Sequence, residues 1–394
     1  MTRPAERMAA GLSRGLSVGI AALCGITSDA PLARARQPGP AVLGANAFRH
    51  YFDRFNADDQ ELYGGAIDNA ASWAFLRANM PLFECPDKML EEIYYFRWWT
   101  YRKHIKRTPD GFIVTEFLPD VDWAGRFNSI NCAAALHFYE GRWLHDRGIL
   151  DDYARFWFRG GGSARSYSFW AADSYWNRYL VTGDAALIRD LLPDLVANYA
   201  AWERTHRDPN GLYWQTDDRD GMEGSIGGSG YRPTLNTYQY GDAVAIAQIA
   251  GLARRPDLAA EYRAKAAAIK GLVQRRLWNK EAGFFTTLPR AAGAPLASVR
   301  ELIGYTPWYL NLPDPGYEAA WAQLMDPKGF FAPYGPTTAE QRHPRFALAY
   351  SGHECMWDGP SWPYSTSITL TAMANLLNRY QQSAVSREDY FKVL

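Results

Sequence analysis

From about residue 65 onward, helix-length stretches with apolar residues at three- and four-residue spacing alternate with breaks rich in Gly, Pro and Asp, and strand-like alternation is scarce. That pattern confines the chain to a mainly α architecture. Helices are expected at roughly 66–79, 87–106, 128–146, 149–158, 166–181, 184–206, 236–254, 256–276, 297–303, 315–325 and 361–381, many of them in pairs. Asp184 stands as an N-cap before Ala185-Ala186-Leu187-Ile188, and Asp208-Pro209-Asn210-Gly211 stops the helical stretch that follows. The same breaker recurs as Thr108-Pro109-Asp110-Gly111 and Asp326-Pro327-Lys328-Gly329. The three lead into short aromatic stretches: Phe112-Ile113, Leu212-Tyr213-Trp214 and Phe330-Phe331. Helix pairs joined by recurring turns, without a strict sequence period, fit a toroid of α-hairpins better than a tight solenoid.

Composition excludes several partners. With 394 residues, 47% hydrophobic and 21% charged, the chain can bury a large core and is not disordered. Lys plus Arg equals Asp plus Glu at 42 each, so no net field attracts nucleic acid or an anionic membrane. Aromatic content is 15%, with 15 Trp and 24 Tyr. A sugar ring has an apolar C–H face that stacks on such side chains, but a Trp-rich helical core has the same composition, and both readings stand.

The first 35 residues read as a signal peptide: Arg3, Arg7 and Arg14, a weakly apolar run from Gly15 to Ile26, and Ala33-Arg34-Ala35 as a cleavage site. The mature chain is therefore expected to be periplasmic or secreted, with 36–64 a linker or arm and 65–394 the folded domain. No stretch reaches about 18 uninterrupted apolar residues, so no membrane insertion is expected. Leu23, just before Cys24, argues against lipidation. Cleavage after Ala35 leaves Cys85, Cys132 and Cys355, an odd number without short spacing, which favours buried thiols over disulfides or a zinc knuckle.

Two long loops carry the candidate chemistry, since structureless segments of this length are usually functional or disordered. Between Gln215 and Tyr231, the carboxylates Asp217, Asp218, Asp220 and Glu223 crowd together, and crowding raises a carboxyl's pKa toward that of a general acid. Gly221, Gly224, Gly227, Gly228 and Gly230 let backbone approach a ligand. A solvated acidic turn and an oxygen-ligand cation site are the alternatives, though EF-hand spacing is absent. Between Phe346 and Tyr364, the contiguous His353, Glu354 and Cys355 cannot easily converge on one ion, so no metal is expected. Trp357, Asp358 and Trp362 surround a Gly-Pro turn, either as a stacking platform with one hydroxyl acceptor or as a buried aromatic corner. Arg97, beside Trp98, with Asn128, Asn131 and Arg142 are polar groups among aromatics that need partners, either one another or a ligand. Tyr240, after the acidic loop, joins them as a candidate sugar contact.

Together these segments resemble the six-hairpin (α/α)6 glycosidases, specifically the mannosylglycerate-hydrolase-like domain related to the processing α-glucosidases of family 63, the trehalases of family 37 and the β-L-arabinofuranosidases of family 142. The resemblance covers about residues 65–394. Asp220-Gly221-Met222-Glu223-Gly224-Ser225 is similar to the family's Glu-Ser-Gly-x-Asp-x-Ser acid loop, and Trp357-Asp358-Gly359-Pro360-Ser361-Trp362 to its Trp-x-Gly-Pro-x-Trp pocket motif. Leu277-Trp278-Asn279 with Gly283-Phe284-Phe285 also looks like the family's. In register, Glu223 falls on the family's acid and Asp220 on a neighbouring Ser. Both stay open as the proton donor, with Glu223 favoured.

The resemblance implies an exo-acting, inverting glycoside hydrolase with an oligosaccharide or glycoside as partner and no metal or organic cofactor. The family's general base lies downstream of its last helix pair, and no matching segment occurs before Leu394. The chain is therefore expected to stop before the twelfth helix, with Glu354 as the one candidate substitute in the second loop. A catalytically silent carbohydrate-binding protein on the same barrel is the alternative, and an epimerase or lyase on that scaffold a third reading. Oligomeric state is not legible.

Overall fold

Short polar caps and prolines set where the helices begin. The computed structural model describes residues 42–349, 352–353 and 355–394; the expected signal peptide and Glu354 lie outside the described residues. The elements run α1 (Arg49–Asp58), α2 (Asn69–Asn79), α3 (Lys88–His104), β1 (Ile105–Thr108), β2 (Gly111–Val114), α4 (Ala134–Gly141), α5 (Gly148–Arg159), α6 (Ala171–Thr182), α7 (Ala186–Asp190) and α8 (Leu192–His206). They continue with α9 (Pro233–Leu252), α10 (Pro256–Arg276), β3 (Trp278–Asn279), β4 (Phe284–Phe285), α11 (Thr306–Tyr309), α12 (Pro363–Arg379) and α13 (Arg387–Val393). Asp68 and Asp87 cap α2 and α3 by accepting from their first-turn N–H groups. Proline opens α9, α10 and α12, where its missing N–H costs nothing.

The architecture is mainly helical, an (α/α)6 toroid. Helix α4 packs on α6, α6 on α9, α9 on α11 and α11 on α12, forming an inner wall, while α8 and α10 return along α9. Their burial patterns show the layering. α10 buries one stripe, Ala259, Tyr262, Ala266, Ile269 and Val273, at the three- and four-residue steps of an outer amphipathic helix. α9 is buried on nearly every face, as an inner helix must be. Trp170, Trp308, Trp321, Tyr95, Tyr153 and Tyr175 are wholly buried, so much of the aromatic content serves the core.

Sheet is confined, among the described residues, to two antiparallel ribbons, β1–β2 with Ile105 opposite Val114 and β3–β4 with Trp278 opposite Phe285. The three sequence breakers are tight turns. Thr108–Gly111 reverses β1 into β2, Gly211 N–H donates to Asp208 O (2.8 Å), and Gly329 N–H donates to Asp326 O (2.8 Å).

The structure departs from the expected organisation in five segments. The 36–64 segment, read as a linker or arm, contains α1, whose Tyr51, Phe52 and Phe55 are buried in the core. The 128–146 helix begins only at Ala134, because Phe127 and Asn128 take left-handed backbone angles (φ +61° and +65°). The 184–206 helix splits at Leu191, two residues before Pro193, which cannot donate within a continuous helix. The helices expected at 297–303 and 315–325 are 3₁₀ turns at Leu302–Tyr305 and Glu318–Gln323. No described helix is long and apolar enough to cross a membrane.

Candidate active site

The loops leading into α4, α6, α9 and α12 meet at one end of the inner wall. Ser168 N–H donates to Arg219 O (2.7 Å), Tyr364 Oη–H to Cys132 O (3.3 Å), and Trp357 N–H to Glu223 O (3.0 Å). The last bond joins the acidic loop directly to the aromatic one. Gln215 and Gly230 close the base of the acidic loop by exchanging backbone hydrogen bonds of 3.0 and 2.9 Å.

Within that loop the two candidate acids have opposite surroundings. Asp220 is wholly buried. Arg232, equally buried, grips it through Nε (2.8 Å to Oδ2) and Nη2 (3.2 Å to Oδ1), and Thr234 Oγ1–H donates to Oδ2 as well. Arg232 also donates to Ser225 Oγ (2.8 Å) and Gly228 O (2.7 Å), so the ion pair ties both arms of the loop together. Burial pushes the Asp220 carboxyl up, and the Arg232 fork opposes it. Arg232 keeps its positive charge opposite Asp220, because a guanidinium does not give up its proton. Gly221 ends the 3₁₀ turn with φ +76°, and a Cβ there would run into Cys132 Sγ.

Glu223 is half-buried at the junction with the aromatic loop. Burial pushes its carboxyl up; the Asp220 and Asp218 charges add to this, while its own N–H and His353 oppose it. Asp217 N–H donates to Ser229 Oγ (3.2 Å), and Asp218 pairs with Arg219 at 3.3 Å on the loop's outer side.

Sequence reasoning missed a third carboxyl, Glu116, just after β2. Burial pushes it up to about 7, and the Glu223 charge adds to the rise. Its Oε2 is shielded from solvent and meets no hydrogen-bond partner. A lone Glu between Ile113-Val114 and Phe117-Leu118 was the available signal, since an ionisable group in an apolar run needs a reason. Around it stand Cys132 and Tyr167; Arg219 lies 5.6 Å above the Tyr167 ring.

The aromatic loop is folded tightly. Trp357 is buried and stacks on Trp362 (5.4 Å, 13°), whose Nε1–H donates to Met356 O (2.8 Å). Of the two, Trp362 is the half-exposed one. Asp358 Oδ1 is shielded and meets no hydrogen-bond partner. His353 Nδ1 faces the backbone of Cys355 at 3.1 Å.

The other candidates have their contacts elsewhere. Arg97, exposed on α3, pairs with Glu140 (2.8 Å), and Trp98 is buried in the core. Asn128 clamps the loop after Glu116 by donating to Phe117 O (3.1 Å) and Pro119 O (2.9 Å) and accepting from Val121 N–H (3.0 Å). Asn131 does the same for the next loop, donating to Ala164 O and Tyr167 O (3.0 and 2.6 Å). Arg142, after α4, lies over Tyr139 and Trp143 and reaches Asn177 at 3.4 Å. Tyr240 faces a cavity of 270 Å³ between α9 and α10, with Arg263 and Lys270. Among the described residues no three His, Cys, Asp or Glu side chains are arranged to hold a metal ion.

One solved protein shares much of this framework. A solved sialidase is 45% identical over 89% of this chain, with a TM-score of 0.86; the chain spans 33% of that protein's length. The family 63 mannosylglycerate hydrolase from Thermus thermophilus, solved with glucose, is 18% identical over 52% of this chain and 61% of its own, with a TM-score of 0.46. No curated protein matches. Residues 126–394 match the mannosylglycerate hydrolase MGH1-like glycoside hydrolase domain, a span that holds both loops, the Asp220–Arg232 pair and Glu223. By that match, which takes in most of its length, the chain belongs to the MGH1-like glycoside hydrolase family.

Proposed function

We propose that the chain is an exo-acting glycosidase that releases a terminal sugar by acid–base hydrolysis with inversion, and that Glu223 is the reacting carboxyl of the acidic loop. One observation carries this reading: Glu223 is half-buried, raised in pKa and bonded through its backbone to Trp357, at the point where the acidic and aromatic loops meet. Asp220 is set aside as proton donor because both its oxygens are engaged by Arg232 and Thr234 away from solvent. A group that must give up a proton to a sugar needs a free face, and the half-buried Glu223 offers one where the enclosed Asp220 does not. Trp362, half-exposed beside this junction, offers a ring for the apolar face of a sugar.

Hydrolysis here consumes one water. A carboxyl protonates the glycosidic oxygen as its bond to the anomeric carbon breaks, and a carboxylate takes a proton from the attacking water. Inversion calls for about 6.5–9.5 Å between the two carboxyls. The basic, weakly apolar stretch before Ala35 supports action after export, in the periplasm or outside the cell.

A panel of aryl α- and β-glycosides, with the released sugar's anomer followed by NMR, tests the proposal. Release of a single terminal sugar with inverted configuration is expected. Retention would overturn the inverting step, and saturable sugar binding without turnover would replace the enzyme by a carbohydrate-binding protein.

A further inference from the structure

We propose that Glu301 is a positioning residue of this site: by accepting from the backbone of the acidic loop, its side chain fixes that loop to a platform that the aromatic loop shares. The inference deepens the hydrolase reading and rests on it for the effect on turnover.

Glu301 lies between the β3–β4 ribbon and α11, just ahead of the 3₁₀ turn Leu302–Tyr305, and its side chain does not cap that turn. The side chain is buried, and its Oε1 accepts from Gly227 N–H (3.1 Å). Burial pushes the carboxyl up, while the Arg232 charge and the N–H groups of Gly227 and Ile226 oppose this. A carboxyl taken out of water needs donors, and here the acidic loop supplies them from its own backbone.

Gly227 records how close the two segments come. Gly221, Gly224, Gly228 and Gly230 in the same loop take positive φ angles, but Gly227 does not, so its backbone does not call for glycine. A Cβ at that position would stand 2.5 Å from Glu301 Oε2 and 3.2 Å from Thr287 Oγ1. Space for the Glu301 carboxyl is what excludes a side chain there.

The backbone of Glu301 leads to the other loop. Glu301 pairs with Ala339 in an antiparallel bridge, Leu302 N–H donates to Thr338 O (2.9 Å), and Thr338 N–H donates to Gly359 O (3.3 Å). Ile226, Val299 and Ala339 form a small buried apolar cluster, and Phe346, at the start of the aromatic loop, packs against it. The two loops are therefore tied twice, directly by Trp357 N–H to Glu223 O (3.0 Å) and through Glu301 at Gly227. The stretch from Glu223 to Gly227 is pinned at both ends. Arg232 holds the same arm at Ser225 and Gly228 from the side of Asp220, whereas Glu301 couples it to the support of the aromatic loop. A reacting carboxyl has to be held to within a fraction of an ångström, and one tie would leave a hinge.

The test measures hydrolysis of aryl glycosides, melting, and amide hydrogen exchange across residues 222–231 in the full chain, E301A, E301Q, G227A and the double variant E301A/G227A. E301A is expected to lose about 10²-fold in kcat with KM within about threefold of the parent, the signature of a displaced reacting group. E301Q keeps an acceptor oxygen and should stay within about threefold of the parent kcat. G227A drives the carboxyl away and should match E301A, while the double variant should lose no more than either single one, since removing the carboxyl makes room for the Cβ. Exchange at 226–228 should speed up in E301A and G227A but not in E301Q. A parent-like kcat in E301A, a loss confined to KM, or an E301Q as slow as E301A would overturn the positioning role. If E301A does not fold, the contrast between G227A and E301Q decides. A parent chain that hydrolyses no glycoside would sink the hydrolase reading, and the exchange data alone would then uphold or overturn the loop contact.

Discussion

Asp220 and Glu116 are both carboxyls taken out of water near the same end of the toroid, and their company is opposite. Asp220 is closed: Arg232 and Thr234 meet its oxygens, and the Arg232 fork goes on to bind the loop's other arm. Glu116 is open, with one oxygen bare and the Glu223 charge acting on it. The contrast shows how one site can use the same functional group for two jobs. A charge fully met by protein builds the loop; a carboxyl left unmet is available for chemistry.

The contrast breaks most visibly at Arg232. Arg232→Met should destabilise the fold by about 3–5 kcal/mol in urea unfolding, because Asp220 is left buried and unpaired. A loss below about 1 kcal/mol would mean that Asp220 is not held as a closed pair.

Glu116→Gln should act in the opposite direction, and only above acid pH. A carboxyl raised in the folded state favours folding below its unfolded pKa. That advantage fades as pH rises from the unfolded value toward the folded value of about 7. E116Q removes the penalty and should be more stable than the parent by about 1–3 kcal/mol at pH 8, with no gain at pH 4. Equal stabilities at both pH values would place Glu116 in water.

Trp362→Ala should raise KM by about tenfold, the worth of about 1.4 kcal/mol, with a smaller change in kcat. An unchanged KM would make the Trp357–Trp362 stack a purely structural corner.

The smallest effect belongs at the foot of the acidic loop, where Arg290 grips Asp208 through two bonds (2.8 and 2.9 Å) and Tyr231 donates to the same carboxylate (2.7 Å). The Arg290 bonds hold the Asp208 carboxyl below its ordinary value. The stabilisation is therefore present above the unfolded pKa and lost as pH falls through the folded one. Arg290→Met should lower the melting temperature slightly at pH 7 and not at all near pH 2; a drop that persists in acid would point to lost packing on Trp214, over which Arg290 lies at 3.9 Å.

The helical class was legible because it rests on local signals. α10 follows from Pro256 and its apolar stripe, and the three Pro-containing breakers form tight turns. α1 was missed although Phe48, Tyr51, Phe52 and Phe55 carry helical spacing, because the Gly- and Pro-rich stretch before it reads as linker. The late start of α4 depends on the left-handed Phe127 and Asn128, which local propensity does not foretell. Among site candidates, the sequence singled out crowded carboxylates, and crowding is visible in one dimension. Asp220's fate depends on Arg232 and Thr234, at the start of α9 beyond the loop, and Glu116 lies more than a hundred residues from Glu223. Neither relation has a spacing to read. Asn128 and Arg142 stand out as polar groups needing partners, and their partners are backbone carbonyls, Asn177 and aromatic rings of the protein itself.

The most direct test compares Glu223→Gln with Asp220→Asn in one glycoside assay, each with a thermal melt. E223Q is expected to melt like the parent and lose about 10²–10⁴-fold in kcat, whereas D220N should melt markedly lower. A folded, active E223Q, or a D220N that melts like the parent and is inactive, would contradict the division of labour between the closed and the open carboxyls.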